Sequence, residues 1–239
     1  MELAAHIDAV AREAVTLADA LAAGPRDARV PSCPDWTVDD LAVHVGRFTG
    51  LWAHVLCEGT GRPKPPAPDP PAEGDLGEWY RALGDHLVEE LRVTPPETEV
   101  WTWKPDDQTP AFIARRAAHE LAVHRVDAEL ARGPHGPIEA ALASDGIDEV
   151  LMLASIGDEP ATGDGQSLHL HATDRDDEWL LALTPSGLEV ERAHGKADLA
   201  LRGAVSDLEL LLYNRPPVGP VEHLGDDAAL AAWHGAFAF

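Results

Sequence analysis

Residues 115–127 read Arg115-Arg116-Ala117-Ala118-His119-Glu120-Leu121-Ala122-Val123-His124-Arg125-Val126-Asp127. Upstream, Thr109-Pro110 places a capping residue before a proline suited to the first helical position, so the spacing predicts a helix that runs to about Arg132 and stops at Gly133-Pro134. At about 100° per residue, Glu120 and His124 lie about 40° apart on one face, which Ile113 and Ala117 share toward the core, whereas His119 and His124 lie about 140° apart. The run is therefore not the H-E-x-x-H helix of zinc proteases, whose two histidines stand four apart.

Three further helices are predicted on the N-terminal side. Leu3, Ile7, Val10, Ala14, Leu17 and Leu21 recur at steps of three and four, giving a first helix over about 2–23 that ends at Gly24-Pro25. Past a turn at Pro31-Ser32-Cys33-Pro34-Asp35-Trp36, Thr37 with Asp40 three residues later forms a short version of the capping box. The second helix then turns Val38, Leu41, Val45, Phe48, Trp52 and Val55 to the core. Residues 59–75 carry Pro63, Pro65, Pro66, Pro68, Pro70 and Pro71 and read as an extended surface loop. Leu76, Trp79, Tyr80, Leu83, Leu87 and Leu91 make the third helix, and a loop with Trp101 and Trp103 leads to the fourth.

From about 138 the period changes. One more helix, from Ile138 to about Ser155, leads to short runs bounded by turn residues at 167–173, 178–184, 187–193 and 198–202, which are predicted strands. Helical stretches at about 204–214 and 226–237 follow. The expected fold class is α+β: a four-helix bundle over 1–137, then a small α+β domain over 138–239. No internal repeat is visible.

Composition narrows the function. With 239 residues, 45% hydrophobic and 25% charged, the chain is an ordinary globular protein. The balance of 42 Asp+Glu against 18 Lys+Arg, a formal net charge of −24, disfavours nucleic-acid phosphates and anionic membranes as partners. No apolar run reaches the ~18–20 residues of a membrane span. Charged residues at helical spacing over 1–23 are unlike a signal peptide, so a cytoplasmic, reduced protein is expected, with Cys33 and Cys57 as thiols. Oligomeric state is not legible.

On the second helix His44 falls along or beside the apolar stripe and is expected to point inward. His44 with Glu120 and His124 could give a divalent metal two nitrogens and one oxygen and leave a coordination position open, a set that suits catalytic zinc, or nickel or iron. The same residues could instead form a helix salt bridge, Glu120 with Arg116 or His124, beside a hydrogen-bonded core histidine. Cys33 reads as a packed turn residue rather than a nucleophile. His169 and His171, two apart, share a strand face and read as a solvent-facing pair without a third ligand. Trp101 and Trp103 could line the bundle mouth or seal a loop. Arg215 could bind a carboxylate of substrate or cofactor, or complement a helix dipole.

Two segments carry a family resemblance. Val30-Pro31-Ser32-Cys33-Pro34-Asp35-Trp36-Thr37-Val38-Asp39-Asp40-Leu41-Ala42-Val43-His44-Val45-Gly46 resembles the first signature of the mycothiol-dependent maleylpyruvate isomerase family, within the DinB-like metalloenzyme superfamily. Arg115-Arg116, His119-Glu120, His124-Arg125 and Asp127-Ala128-Glu129 resemble its second. The match extends to Ala197-Asp198-Leu199-Ala200-Leu201-Arg202-Gly203 and Leu211-Leu212-Tyr213-Asn214-Arg215-Pro216, so it covers nearly the whole chain. It implies a DinB-like bundle holding zinc through His44, Glu120 and His124, with mycothiol as thiol cofactor and a small electrophile as substrate. In such an isomerase the metal-stabilised thiolate adds to a conjugated double bond, rotation follows, and the thiol leaves; other members would transfer the thiol. Two alternatives stand beside this reading: a zinc-dependent hydrolase without thiol, and a non-catalytic small-molecule-binding protein with a structural metal.

Overall fold

The apolar stripes on the N-terminal side close into four helices, α1 (Leu3–Ala22), α2 (Val38–Glu58), α3 (Leu76–Val93) and α4 (Pro110–Leu130). The structure is a computed structural model and describes residues 1–59, 69–156 and 160–237. By its contacts the chain divides into two units, Met1–Gly136 and Pro137–Phe239. Most of the proline-rich stretch expected as a loop at 59–75 lies outside the described residues. No helix among the described residues is long and apolar enough to cross a membrane.

In the first unit α1 packs on α3 and α4, and α2 packs on the same two, which makes a four-helix bundle. Fully buried leucines such as Leu17, Leu41, Leu87 and Leu121 fill its core, each stabilising the fold by about 1.5–3 kcal/mol. Glycine sets two close approaches. A Cβ at Gly46 would stand 2.3 Å from the Trp79 ring, and one at Gly77 would stand 2.4 Å from the Ala18 carbonyl oxygen, so α3 can approach α2 and α1 closely only because these positions lack side chains.

The helix starts follow the capping chemistry. The Thr37 side chain accepts from the Asp40 N–H at 3.2 Å while the Thr37 N–H donates to the Asp40 carboxylate at 2.8 Å, a complete capping box for α2. The Asp75 carboxylate accepts from the N–H groups of Gly77 and Glu78 at the start of α3. Thr109 accepts from the Phe112 N–H, with Pro110 at the first position of α4.

The segment before α2 is not a plain turn. It holds two short strands, β1 (Arg29–Val30) and β2 (Cys33–Thr37), paired antiparallel with a register shift. β1 has only two residues and β2 buries none of its five, so neither carries a readable alternation, and Pro31 and Pro34 mask them further. The ribbon matters because it hangs Ser32 and Trp36 over α2 and α4.

The second unit opens with α5 (Ala140–Ser155) and builds a mixed five-stranded sheet from β3 (Gln166–Ala172), β4 (Glu178–Thr184), β5 (Gly187–Glu191), β6 (Leu199–Gly203) and β7 (Glu222–Gly225), with α6 (Val205–Leu212) and α7 (Ala228–Ala236). The strand order is β5-β4-β3-β6-β7; β3 and β6 run parallel and the other neighbours antiparallel. Leu168, Leu170, Trp179, Leu181, Leu183, Leu199 and Leu201 form the buried face at alternate positions. The chain is thus α+β. β7 was not expected, because every residue of this edge strand is exposed and the alternation that marks a half-buried strand is missing.

Candidate metal centre

Helix α4 is buried on nearly all sides, yet it carries Arg116, His119, Glu120, His124, Arg125 and Asp127. Buried charge needs partners, and α4 has them. Arg125 donates to Glu13 of α1 and to Glu129, each at 2.8 Å, and so ties α1 to the last turns of α4.

One turn earlier Arg116, Glu120 and His124 converge with His44 of α2. His44 Nε2 lies 2.9 Å from Glu120 Oε1, and His124 Nε2 lies 3.4 Å from the same oxygen. The other oxygen, Oε2, accepts from the Arg116 guanidinium. Glu120 therefore serves the salt bridge to Arg116 and the two imidazoles at once, one oxygen for each. The second nitrogen of His124, Nδ1, is 2.8 Å from Asp127 Oδ2, and Asp127 also accepts from the Ser32 hydroxyl on the ribbon. With Nδ1–H committed to Asp127, the lone pair of neutral His124 sits on Nε2, facing Glu120.

Electrostatics follow from this arrangement. Burial acts to raise the Glu120 carboxyl, but the Arg116 guanidinium and hydrogen bonds from His124 and His44 outweigh it and hold the group well below the ordinary carboxylate range. Burial likewise works against a charged His124, and hydrogen bonds to Asp127 and Glu120 overcome it, pushing the imidazole up to about 9 without metal.

The donor set fits a small divalent ion. Tetrahedral coordination with bonds of about 2.0–2.1 Å separates donor atoms by roughly 3.3–3.4 Å, and the two spacings from Glu120 Oε1 are 2.9 and 3.4 Å. The three ligand atoms lie within 4.8 Å of one another. Asp127 behind His124 is the carboxylate that typically orients a metal-bound imidazole.

His44 differs from expectation in one respect. Its side chain is 38% exposed rather than turned into the core, because it sits at the edge of the α2 stripe. There it forms the wall of an open cavity of about 500 Å³ with Trp36, Val43, Arg47 and Phe48. Trp36 covers it with ring centroids 4.9 Å apart. Phe48, expected in the core, is half-exposed and lines the same cavity.

The other sequence candidates are placed as follows. Arg215 lies beyond α6 after Asn214, which adopts the left-handed conformation of a helix C-terminus (φ 57°), and its buried guanidinium donates to the Tyr213 carbonyl at 2.6 Å. His119 is buried with its ring edge-on to His6, away from the three converging donors. Trp101 stacks on Trp52 of α2 and Trp103 sets its edge on Phe112 of α4, so both seal the loop. Burial and the nearby Glu90 and Glu58 push the Cys57 thiol up, the opposite of activation. His169 and His171 are not a solvent-facing pair: His169 is buried and both rings turn to Glu178. Missed in the sequence were Asp127 and Trp36. The His-x-x-Asp spacing of 124 and 127 was the available signal for the first; the second needed the ribbon.

Fold and site define a class, an α+β protein whose four-helix bundle carries an imidazole–carboxylate cluster beside an open cavity. Residues 7–129 match the sequence model of the mycothiol maleylpyruvate isomerase N-terminal domain, and the chain belongs to that family, which is a family of enzymes. Two solved structures of the mycothiol-dependent maleylpyruvate isomerase, one of a histidine-to-alanine mutant, share its fold: each matches with a TM-score of 0.63 and 12% identity over 93% of this chain and 93% of the other. No curated protein sequence matches the chain.

Proposed function

We propose that the chain is a mycothiol-dependent isomerase or thiol transferase acting on a small electrophile, with a divalent metal, zinc in the first instance, held by His44, Glu120 and His124. The convergence of two imidazole nitrogens on one carboxylate oxygen at a cavity wall carries this reading, and family membership supports the thiol. A divalent ion bound there would keep a thiol in its nucleophilic thiolate form at neutral pH.

The chain's own residues supply the rest. Asp127 fixes the His124 tautomer, Arg116 keeps Glu120 ionised and oriented, and Trp36 shields His44 from bulk water on the ribbon side. Arg47 places a cation in the cavity wall where an acidic substrate would meet it. Isomerisation requires the thiol to add to a conjugated double bond and leave; transfer requires it to stay, so product analysis separates the two. Arg215 of the second unit is proposed to bind a carboxylate of substrate or cofactor.

Cobalt-substituted protein is expected to gain a sulfur-to-metal charge-transfer band when mycothiol is added. No spectral change at saturating thiol would overturn the thiol-on-metal reading in favour of a hydrolytic one. Arg215→Ala is expected to weaken thiol binding while metal content stays constant; unchanged affinity would confine Arg215 to its bond with the Tyr213 carbonyl.

A further inference from the structure

A second cluster of metal-ligating side chains lies wholly within the second unit. His169 and His171 stand on one face of β3, and the antiparallel register sets Glu178 of β4 directly across from His171. His194, on the loop after β5, folds back onto the same carboxylate. His169 Nε2 and His194 Nδ1 each lie 2.7 Å from Glu178 Oε2, and His171 Nδ1 lies 3.3 Å from Oε1. The His169 ring is nearly perpendicular to the His194 ring, with centroids 4.9 Å apart, and His171 stands edge-on to both at 6.0 and 6.4 Å. The rings therefore do not stack on each other; each aims one nitrogen at the Glu178 carboxylate.

We propose that His169, His171, Glu178 and His194 form a second metal site, taking zinc or another late first-row divalent cation and holding it with four protein donors as a structural clamp on the sheet. Three imidazoles and one carboxylate match the ligand preference of such ions and complete a tetrahedron without a water. One ligand atom from each residue lies within 4.8 Å of the others; the His171 spacing of 3.3 Å matches the roughly 3.3–3.4 Å expected of neighbouring donors, and the two of 2.7 Å are those of direct hydrogen bonds that an ion would open by about 0.6 Å. Without metal, each facing nitrogen must carry a proton to bond the carboxylate; a divalent ion replaces those protons and uses the same lone pairs. Burial is graded from His169, 5% exposed, to His194, 75% exposed, so an ion has an entry path on the His194 side. That side opens into a cavity of about 600 Å³ bordered by Asp176, Asp177 and Arg192. Asp177 is engaged by Arg175, Arg192 and Ser144, which makes it part of the wall rather than a fifth ligand. Such an ion would join side chains of β3, β4 and the β5–β6 loop at one point.

The inference does not depend on the proposed bundle chemistry, and zinc counting on the full chain keeps the two apart. Chelator-stripped protein is reloaded with zinc, dialysed against about 1 µM free zinc, a level that structural sites retain, and analysed for metal per chain beside His171→Gln and His194→Gln. Both positions are accessible, and circular dichroism confirms that each variant is folded. Zinc content is expected to fall by one ion per chain in either variant, from two to one if the bundle also binds and from one to none if it does not. Cobalt-loaded wild type is expected to show the visible absorption of a tetrahedral ion, and the variants to lose that share of it. Equal zinc content in wild type and both variants would overturn the site and leave a hydrogen-bonded glutamate clamp. A loss that also appears in His44→Ala but not in His194→Gln would assign the metal to the bundle alone and equally overturn it.

Discussion

In the bundle, Glu120 and His124 come from successive turns of α4, and only His44 has to be delivered by another helix. In the sheet, His169 and His171 share a strand, Glu178 arrives through strand pairing, and His194 returns from a loop sixteen residues beyond Glu178. The side-chain types are the same, and the surroundings are not. Glu120 and His124 are buried and backed by Arg116 and Asp127, whereas Glu178 is a quarter exposed and bonded to imidazoles alone among the ionisable side chains that lower it. Three protein donors at an open cavity suit reactivity; four donors on a sheet face suit structure.

The sharpest way to break this contrast is His124→Ala, which removes a direct ligand and its link to Asp127. Zinc bound by the bundle is expected to weaken by more than about 100-fold, beyond the roughly 10–100-fold typical of residues that only orient a ligand. Retained affinity in competition with a chelator would dissolve the proposed centre. Asp127→Asn should fall within that 10–100-fold range, because it keeps the side-chain shape and loses the charge behind His124; an effect as large as that of His124→Ala would mean that Asp127 itself ligates.

The two clusters should also respond to pH at opposite ends of the scale when metal is absent. His124 is raised from 6.5 to about 9, so its contribution to stability is complete below pH 6.5 and disappears as pH rises toward 9. For Glu178, desolvation acts to raise the carboxyl, but bonds from His194, His169 and His171 depress it from 4.5 to about 2, so its contribution is complete above pH 4.5 and disappears as pH falls toward 2. Nitrogen-detected NMR of chelator-treated protein should find both ring nitrogens of His124 protonated at pH 8. A neutral ring there would remove the alkaline half of the contrast. The smallest expected effect is that of His119→Gln, which should leave zinc content unchanged, since this ring lies on another face of α4 and packs on His6.

Much of the bundle was legible because its information is local. Thr37 and Asp40, Thr109 and Pro110, and the three-and-four spacing of leucines act within one or two turns. The pairing of Glu120 with His124 was visible for the same reason, and so was the separation of His119. The β1–β2 ribbon was read as a turn, since β1 has only two residues and β2 no buried face to give it a period, and Trp36 over His44 went unseen with it.

The sheet shows where local reading ends. The alternation on β3 and β4 placed His169 and His171 on one face, but which residue stands opposite them depends on register, which is set by the packing of Leu168, Leu170, Trp179 and Leu181 into the core. His194 lies on a loop without periodicity, and its return to Glu178 is a tertiary event. The sequence alone determined the class α+β, the four helices and the helical half of the candidate metal centre, because helix geometry repeats every few residues. Tertiary structure decided that His44 stands at a cavity wall, that Ser32 and Trp36 reach the centre from the ribbon, and that a glutamate and three histidines meet on the sheet, because those contacts join segments that only packing brings together.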